Sequence, residues 1–161
     1  MATPSNPDSV KREVKLTRTF DAPRSLVFKA WVDPKHLASW WGPHGFTNPV
    51  CEADAKPGGA IRIDMRAPDG AVFPMTGTFH EVTPPERLVF TSVAVGEGGK
   101  TLIKAMNTVT MTERDGKTTV TLDARVLELA PEFAEAAAGM EEGWSQSLER
   151  LAAHVSASGA A

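Results

Sequence analysis

Cysteine is nearly missing from this sequence, since Cys51 is the single one among 161 residues. A lone cysteine forms neither a disulfide framework nor a thiolate metal site, and this usage favours a cytoplasmic location. The four histidines form no H-x-x-H or H-x-x-x-H pair, and no carboxylate cluster accompanies them. We therefore expect no metal site and no cofactor. Cys51 itself is expected to be a small buried side chain within a strand.

Long runs of one residue class are missing as well. The formal net charge is −3, both signs are mixed along the chain, and no basic block is present. Nucleic acid is therefore not an expected partner. The longest apolar runs are far shorter than the ~20 residues that span a bilayer, so a membrane is not an expected partner either. The N-terminal segment lacks the apolar core of a signal peptide.

The composition that is present is typical of one globular domain. Hydrophobic residues make up 42% of the chain and charged residues 23%. A chain of this length can bury a core without disulfides. We predict a disordered lead over residues 1–11, a single domain over 12–155 and a disordered tail over 156–161.

The spacing of apolar residues predicts two short helices among several strands. Residues 12–20 alternate as in a half-buried strand. Asp21 is the expected N-cap of the first helix, and Asp33-Pro34 ends that helix and begins the second. Turn sequences such as "KPGG", "PDG" and "RDGK" separate the later segments. The later strands are predicted over residues 46–56, 60–67, 72–82, 87–95, 101–113 and 118–126.

The last predicted element is a long helix with one apolar stripe. Its apolar residues recur every three or four positions and are Phe133, Ala137, Met140, Trp144, Leu148, Leu151 and Val155. The strands also alternate between apolar and polar residues, with threonines on the outer face of the last two, so the sheet has one apolar face that needs a cover. We therefore predict an α+β fold, in which a curved antiparallel sheet of about six to seven strands wraps around the long C-terminal helix, with two short helices after the first strand.

Four segments resemble a known protein family, and they are "RTFDAPRSLVFKAWVDPKHLASWWGP", "KPGGAIRIDMRAPDG", "TGTFHEVTPPERLVFT" and "GMEEGWSQSLERLAAHV". The chain resembles the family named after the activator of heat-shock-protein-90 ATPase, in its C-terminal-domain-like branch, over nearly its whole length. That family belongs to the START-like superfamily, also called SRPBCC, which includes the birch pollen allergen. The resemblance implies a helix-grip fold with a deep hydrophobic cavity under the C-terminal helix. Superfamily members bind lipids, sterols, polyketides or plant hormones, and some cyclise polyketides.

Two adjacent tryptophans, Trp40 and Trp41, are the most unusual local feature. Neighbouring helical residues point ~100° apart, so one ring is expected to pack under the sheet while the other lines a rim. The pair either stacks on a flat ligand at one end of the cavity or only anchors the second short helix to the sheet. We interpret "WWGP" as a structural corner at the edge of a cavity and not as a catalytic centre.

The inward faces of the strands and of the last helix supply the candidate cavity residues. These are Trp40, Trp41, Ile63, Met65, Phe73, Met75, Phe79, Phe90, Asn107, Val109, Met111, Met140, Trp144 and Leu148. Several methionines in one enclosure suit a cavity of adaptable shape, although the same residues would also form an ordinary core. Asn107 shares the apolar register of its strand, so its amide needs a partner in the backbone, in water or in a ligand. Ser147, beside the helix stripe, is a second polar candidate.

Three hypotheses for the function follow. The first is the binding of a small hydrophobic or aromatic ligand in the cavity. The second is a cavity enzyme of the polyketide cyclase, dehydratase or hydrolase type, for which His44, Glu81 and Asn107 are the available polar residues and no catalytic residue is identified. The third is a chaperone-associated or stress-related interaction module, which is weakened because the chain leaves no room for the co-chaperone's separate N-terminal domain. A monomer and a homodimer are both compatible with the sequence.

Overall fold

The structure, a computed structural model, describes residues 13–131 and 140–159. The elements appear in the predicted order. They are β1 (Glu13–Phe20), α1 (Arg24–Val32), α2 (Pro34–Trp40), β2 (Thr47–Ala53), β3 (Ala60–Arg66), β4 (Val72–Thr83), β5 (Arg87–Val95), β6 (Thr101–Arg114), β7 (Lys117–Leu129) and α3 (Met140–Gly159). The α+β class and the helix-grip arrangement are confirmed.

Seven strands form one antiparallel sheet in the order β1-β7-β6-β5-β4-β3-β2. Successive strands are neighbours except at β1, which pairs with β7. The sheet is curved, so that its edge strands reach the helices: α2 packs against β2, and α3 contacts β1. The sheet needs α3 because its concave face is apolar and would otherwise be exposed to water.

The strands β6 and β7 show the predicted alternation most clearly. Val109 lies opposite Leu122 and Met111 lies opposite Val120. All four side chains are buried under the helices. The threonines between Val109 and Met111 and between Val120 and Leu122 are half-buried, as expected of an antiparallel sheet with one wet face.

The beginning of α1 differs from the prediction. Pro23, and not Asp21, occupies the N-cap position, and its side chain makes no cap. The Arg24 backbone N–H donates instead to Glu113 Oε1 at 2.8 Å, a carboxylate on β6. A negative charge there also suits the positive end of the helix. The Asp21 prediction was wrong because the acceptor comes from a residue 89 positions away, which local sequence does not reveal.

The second helix begins at Asp33-Pro34 as predicted, and Asp33 also caps it. Its Oδ1 accepts a hydrogen bond from the Lys35 backbone N–H at 2.9 Å, with Pro34 at the first helical position. Replacing Asp33 with alanine is expected to lower the free energy of unfolding by ~1 kcal/mol, the usual effect of losing an N-cap. Asp21→Ala is the matched control, because Asp21 caps no helix, and it should change stability by less than ~0.5 kcal/mol. Urea unfolding followed by circular dichroism measures both, and equal losses would contradict the assignment.

The burial of α3 changes along its length. Leu148, Leu151 and Val155 are fully buried, whereas Met140 and Trp144 are only partly covered. The helix continues to Gly159, within the segment predicted as the tail. None of the described helices has the length and apolar character that a bilayer crossing requires. Among the described residues, the core under α3 is therefore better covered near Leu148, Leu151 and Val155 than near Met140 and Trp144.

Residues 1–11, Gly139 and the first two members of the apolar stripe, Phe133 and Ala137, lie outside the described residues.

Candidate functional site

A cavity of about 400 Å³ lies between the sheet and the first two turns of α3. Its size falls within the ~300–1,000 Å³ that is typical of small-molecule sites. The lining residues come from α3, the corner after α2 and one end of the sheet. They are Trp41, Gly42, Pro43, Phe46, Met65, Phe73, Pro74, Met75, Ser92, Ala94, Val95, Leu102, Ile103, Ala105, Met140, Gly143, Trp144 and Ser147.

Small residues on both sides account for the empty volume. The sheet contributes Ser92, Ala94 and Ala105 to this part of the concave face, and the helix contributes Gly143. Among the described residues, a Cβ atom added at Gly143 would meet only the Pro43 ring, at 4.0 Å. Protein interiors are otherwise close-packed, so a space between two small-residue surfaces is a specific feature of this end of the fold.

Aromatic rings form one wall and the rim of the cavity. The Trp144 ring lies 5.3 Å from Trp41 in an edge-to-face arrangement and stacks on Trp31 at 6.0 Å. Phe46 and Phe73 form a second pair with centroids 6.2 Å apart. Because Phe73 is 45% exposed while it lines the cavity, this pair lies at the opening to solvent. Flat aromatic walls favour stacking on a flat ligand.

The two adjacent tryptophans have separate roles. Trp40 is fully buried, and its Nε1 donates a hydrogen bond to the Ala30 carbonyl at 2.9 Å. Trp41 lines the cavity. The helical geometry of α2 thus places one ring in the core and the other on the wall, and Trp40 does not line the cavity.

Arg150 on α3 holds the corner that carries Trp41. Its Nη1 lies 2.9 Å from the Trp41 carbonyl oxygen and 3.0 Å from those of Gly42 and Pro43. Its Nη2 donates to the Ser39 carbonyl at 3.2 Å. Burial lowers the pKa of Arg150 from its ordinary value, and the guanidinium remains protonated. A cation beside carbonyls of the last turn of α2 is also favoured by the helix dipole. The sequence pattern did not reveal this contact.

Six of the predicted cavity residues line the cavity, and they are Trp41, Met65, Phe73, Met75, Met140 and Trp144. The others are buried and do not line it, and they are Trp40, Ile63, Phe79, Phe90, Asn107, Val109, Met111 and Leu148. Strand alternation identifies which side chains point inward. It does not reveal which part of that inward face is filled by helix side chains, so these eight residues could not be separated from the lining set.

Sequence reasoning missed the end of β5 and the beginning of β6. Leu102 and Ile103 both line the cavity, although neighbours on a regular strand point to opposite faces. The pairing of β5 with β6 shifts register between Ala94 and Val95, which disturbs the alternation there. The glycine-rich "GEGGK" loop between these strands is the available sequence signal for this irregularity.

The three polar candidates for catalysis do not line the cavity. His44 Nε2 lies 3.0 Å from Glu149 Oε1, and both side chains are more than half exposed. Glu81 accepts a hydrogen bond from Arg87 Nε at 3.2 Å and is 43% exposed. Asn107 is fully buried beside the cavity wall. Among the described lining residues, the polar side-chain atoms belong to Ser92, Ser147 and the two tryptophan indoles, and none of these titrates near neutral pH.

Other titratable side chains lie away from the cavity. Cys51, which was expected to be buried, is half-buried, and burial together with the Glu52 carboxylate raises the pKa of its thiol to about 11. His36 Nδ1 lies 2.8 Å from His154 Nε2, and burial together with the neighbouring His36 lowers the pKa of His154. The described residues contain no cluster of three or more side chains able to hold a metal ion.

Comparisons with known proteins are consistent with this fold. Residues 21–156 match the family described as Activator of Hsp90 ATPase homolog 1-like protein. A search of curated proteins found no match. Several solved structures are similar over most of their length, and none of those described below is more than 26% identical to this chain.

The solution structure of a protein from Arthrobacter aurescens superposes with a TM-score of 0.80 at 26% identity, covering 89% of this chain and 86% of that one. The AHSA1 protein of Silicibacter pomeroyi gives a TM-score of 0.77 at 26% identity, covering 91% and 99%. A crystal structure of a protein from Nitrosomonas europaea gives 0.76 at 25% identity, covering 93% and 97%.

Proposed function

Since the chain belongs to the family of activator of Hsp90 ATPase homolog 1-like proteins, whose START-like fold commonly binds ligands, we propose that it binds a small hydrophobic or aromatic molecule in the cavity under α3. The observation that carries the proposal is the cavity of about 400 Å³ itself. A close-packed domain gains stability by filling such a space with side chains. An open apolar space instead suits a ligand that completes the core.

The lining supports an apolar ligand. Burial of each ligand CH₂ group in such a cavity contributes ~0.8 kcal/mol. Met65, Met75 and Met140 line the space, and methionine side chains adapt readily to ligand shape. Because His44 and Glu81 do not line the cavity, no contact among the described residues favours a cavity enzyme of the cyclase, dehydratase or hydrolase type over binding.

Native mass spectrometry of the protein purified from its own host tests the proposal. We expect a population heavier than the 17.2 kDa chain, and we expect denaturing conditions to release a neutral small molecule from it. A variant with a blocked cavity, Gly143→Leu, purified in the same way, should carry much less of that molecule. Equal amounts on both proteins would place the molecule outside the cavity and contradict the proposal.

A further inference from the structure

Asn107 and Ser92 form a polar pair at the wall of the apolar cavity. Asn107 is fully buried on β6, opposite Phe90 of β5. Its Nδ2 donates to the Phe90 carbonyl oxygen at 3.3 Å and to Ser92 Oγ at 2.9 Å. Ser92 is itself a lining residue of the cavity. The pair therefore connects a buried amide to the space under α3.

The Phe90 carbonyl fixes the orientation of the Asn107 amide. A backbone carbonyl only accepts hydrogen bonds, so the NH₂ end of the amide has to face it. The two Nδ2 hydrogens are then both used, one by Phe90 and the other by Ser92. In this arrangement Ser92 Oγ is an acceptor towards Asn107.

This orientation leaves Ser92 with a free donor. A serine hydroxyl carries one hydrogen and two lone pairs, and the contact with Asn107 occupies a lone pair. Among the described residues, Ser92 donates no side-chain hydrogen bond. Because Ser92 lines the cavity, its hydroxyl hydrogen can reach an acceptor that lies there.

The buried amide is poorly explained by folding alone. Asn107 Oδ1 has no hydrogen-bond partner among the described residues, although it is shielded from solvent. An apolar side chain would avoid this unsatisfied group, whose burial is unfavourable. Such departures from an apolar core are characteristic of functional sites.

The cavity lining also limits the charge of the ligand. None of the described lining residues carries a charged side chain, so an ionised group inside would lose its hydration without gaining a partner. Resting on the proposed function, we infer that the ligand is a compact, neutral, mainly apolar molecule with one oxygen acceptor, such as a carbonyl, ether or hydroxyl oxygen, that accepts a hydrogen bond from Ser92. Asn107 is the positioning residue that directs the Ser92 donor towards the cavity.

A matched pair of probes tests this inference. 2-Acetylnaphthalene and 2-ethylnaphthalene are similar in shape and neutral, and only the first carries a carbonyl. Their dissociation constants can be measured by quenching of tryptophan fluorescence, since Trp41 and Trp144 line the cavity. We expect Ser92→Ala to weaken binding of the acetyl probe about fivefold and binding of the ethyl probe by less than about twofold, as loss of one hydrogen bond predicts.

Two further variants separate the roles of the pair. Ser147→Ala tests the other lining hydroxyl, because Ser147 also lines the cavity but is not bonded to Asn107, and any change in affinity that it causes should be the same for both probes. Asn107→Leu should reduce the preference for the acetyl probe while binding of the ethyl probe persists. The ratio of the two dissociation constants measures how well Asn107 orients the Ser92 hydroxyl, because a general loosening of the fold would weaken binding of both probes alike.

The possible results distinguish this inference from the proposed function. If the wild-type protein binds neither probe, the proposed function and the inference both fail. If the wild type binds both probes and Ser92→Ala changes their two dissociation constants equally or not at all, the cavity binds apolar ligands but Ser92 is not the residue that donates to them. If Ser147→Ala weakened binding of the acetyl probe but not of the ethyl probe, the assignment of Ser92 as the donor would likewise be overturned. Should Asn107→Leu fail to fold in a thermal melt, the comparison of the two serine variants decides.

Discussion

Replacing Gly143 with leucine is expected to weaken binding of 2-acetylnaphthalene at least about tenfold, or ~1.4 kcal/mol. Gly143 lines the cavity from the α3 side, and the one side chain that a Cβ atom there would meet within 13–131 and 140–159 is the Pro43 ring, at 4.0 Å. The leucine side chain can therefore extend into the space that the ligand would occupy without a clash near the backbone. Fluorescence titration of the variant with the probe measures the loss.

Gly143→Ala is the control for this experiment. Both substitutions remove a glycine from a helix interior, so each should stabilise α3 by up to ~1 kcal/mol. Alanine adds one methyl group and should reduce affinity by less than about threefold, since most of the cavity stays open. Thermal melts of the two variants should show similar gains in stability. A leucine variant that binds the probe as well as the wild type would show that the ligand lies elsewhere.

Replacing Arg150 with methionine is expected to lower the free energy of unfolding by about 2–3 kcal/mol, because hydrogen bonds to a charged group are removed from partly buried carbonyls. The Nη1 hydrogens are shared among three backbone carbonyls, from Trp41 to Pro43, and Nη2 contacts a fourth carbonyl at Ser39. Methionine keeps an unbranched apolar stem and has no donor. Urea unfolding followed by circular dichroism measures the change.

Arg150→Lys separates charge from geometry. An ammonium keeps the positive charge but cannot reproduce the planar fork of donors. We therefore expect the lysine variant to have a free energy of unfolding between that of the wild type and that of the methionine variant. The methionine variant should also bind the acetyl probe more weakly, because Trp41 is attached to the corner that Arg150 holds. If methionine left both stability and affinity unchanged, solvent would have to satisfy these carbonyls equally well.

Much of the fold follows from local patterns. The alternation of Val109 and Met111 with threonines predicted the inward face of β6, and the structure has it. Asp33-Pro34 predicted the break between α1 and α2, and the structure has it. The angle between neighbouring helical residues predicted that the Trp40 and Trp41 rings would point apart, and of the two Trp41 lines the cavity, although it is buried in the wall and not at the rim. These features succeed because each depends on residues a few positions apart.

The location of the cavity could not be predicted in the same way. Eight of the proposed lining residues are packed into the core, and the actual wall includes Ser92 and Leu102. Whether an inward side chain faces a helix side chain or an empty space depends on how small residues from β5, β6 and α3 come together in three dimensions. The periodicity of the sequence does not show that these small residues meet in the folded chain.

Apolar periodicity was enough to establish the α+β class, the order of the elements and the inward faces of β6 and β7 at Val109, Met111, Val120 and Leu122, because secondary structure repeats at intervals of two and 3.6 residues. The side-chain contacts that hold the helix ends and orient the polar group at the cavity join segments that are distant in the sequence. Glu113 supplies the acceptor for the start of α1, Arg150 holds the corner after α2, and Asn107 orients Ser92. Each depends on which strands and helices become neighbours in the folded chain, and this is why the cavity and its polar anchor emerge from the tertiary structure alone.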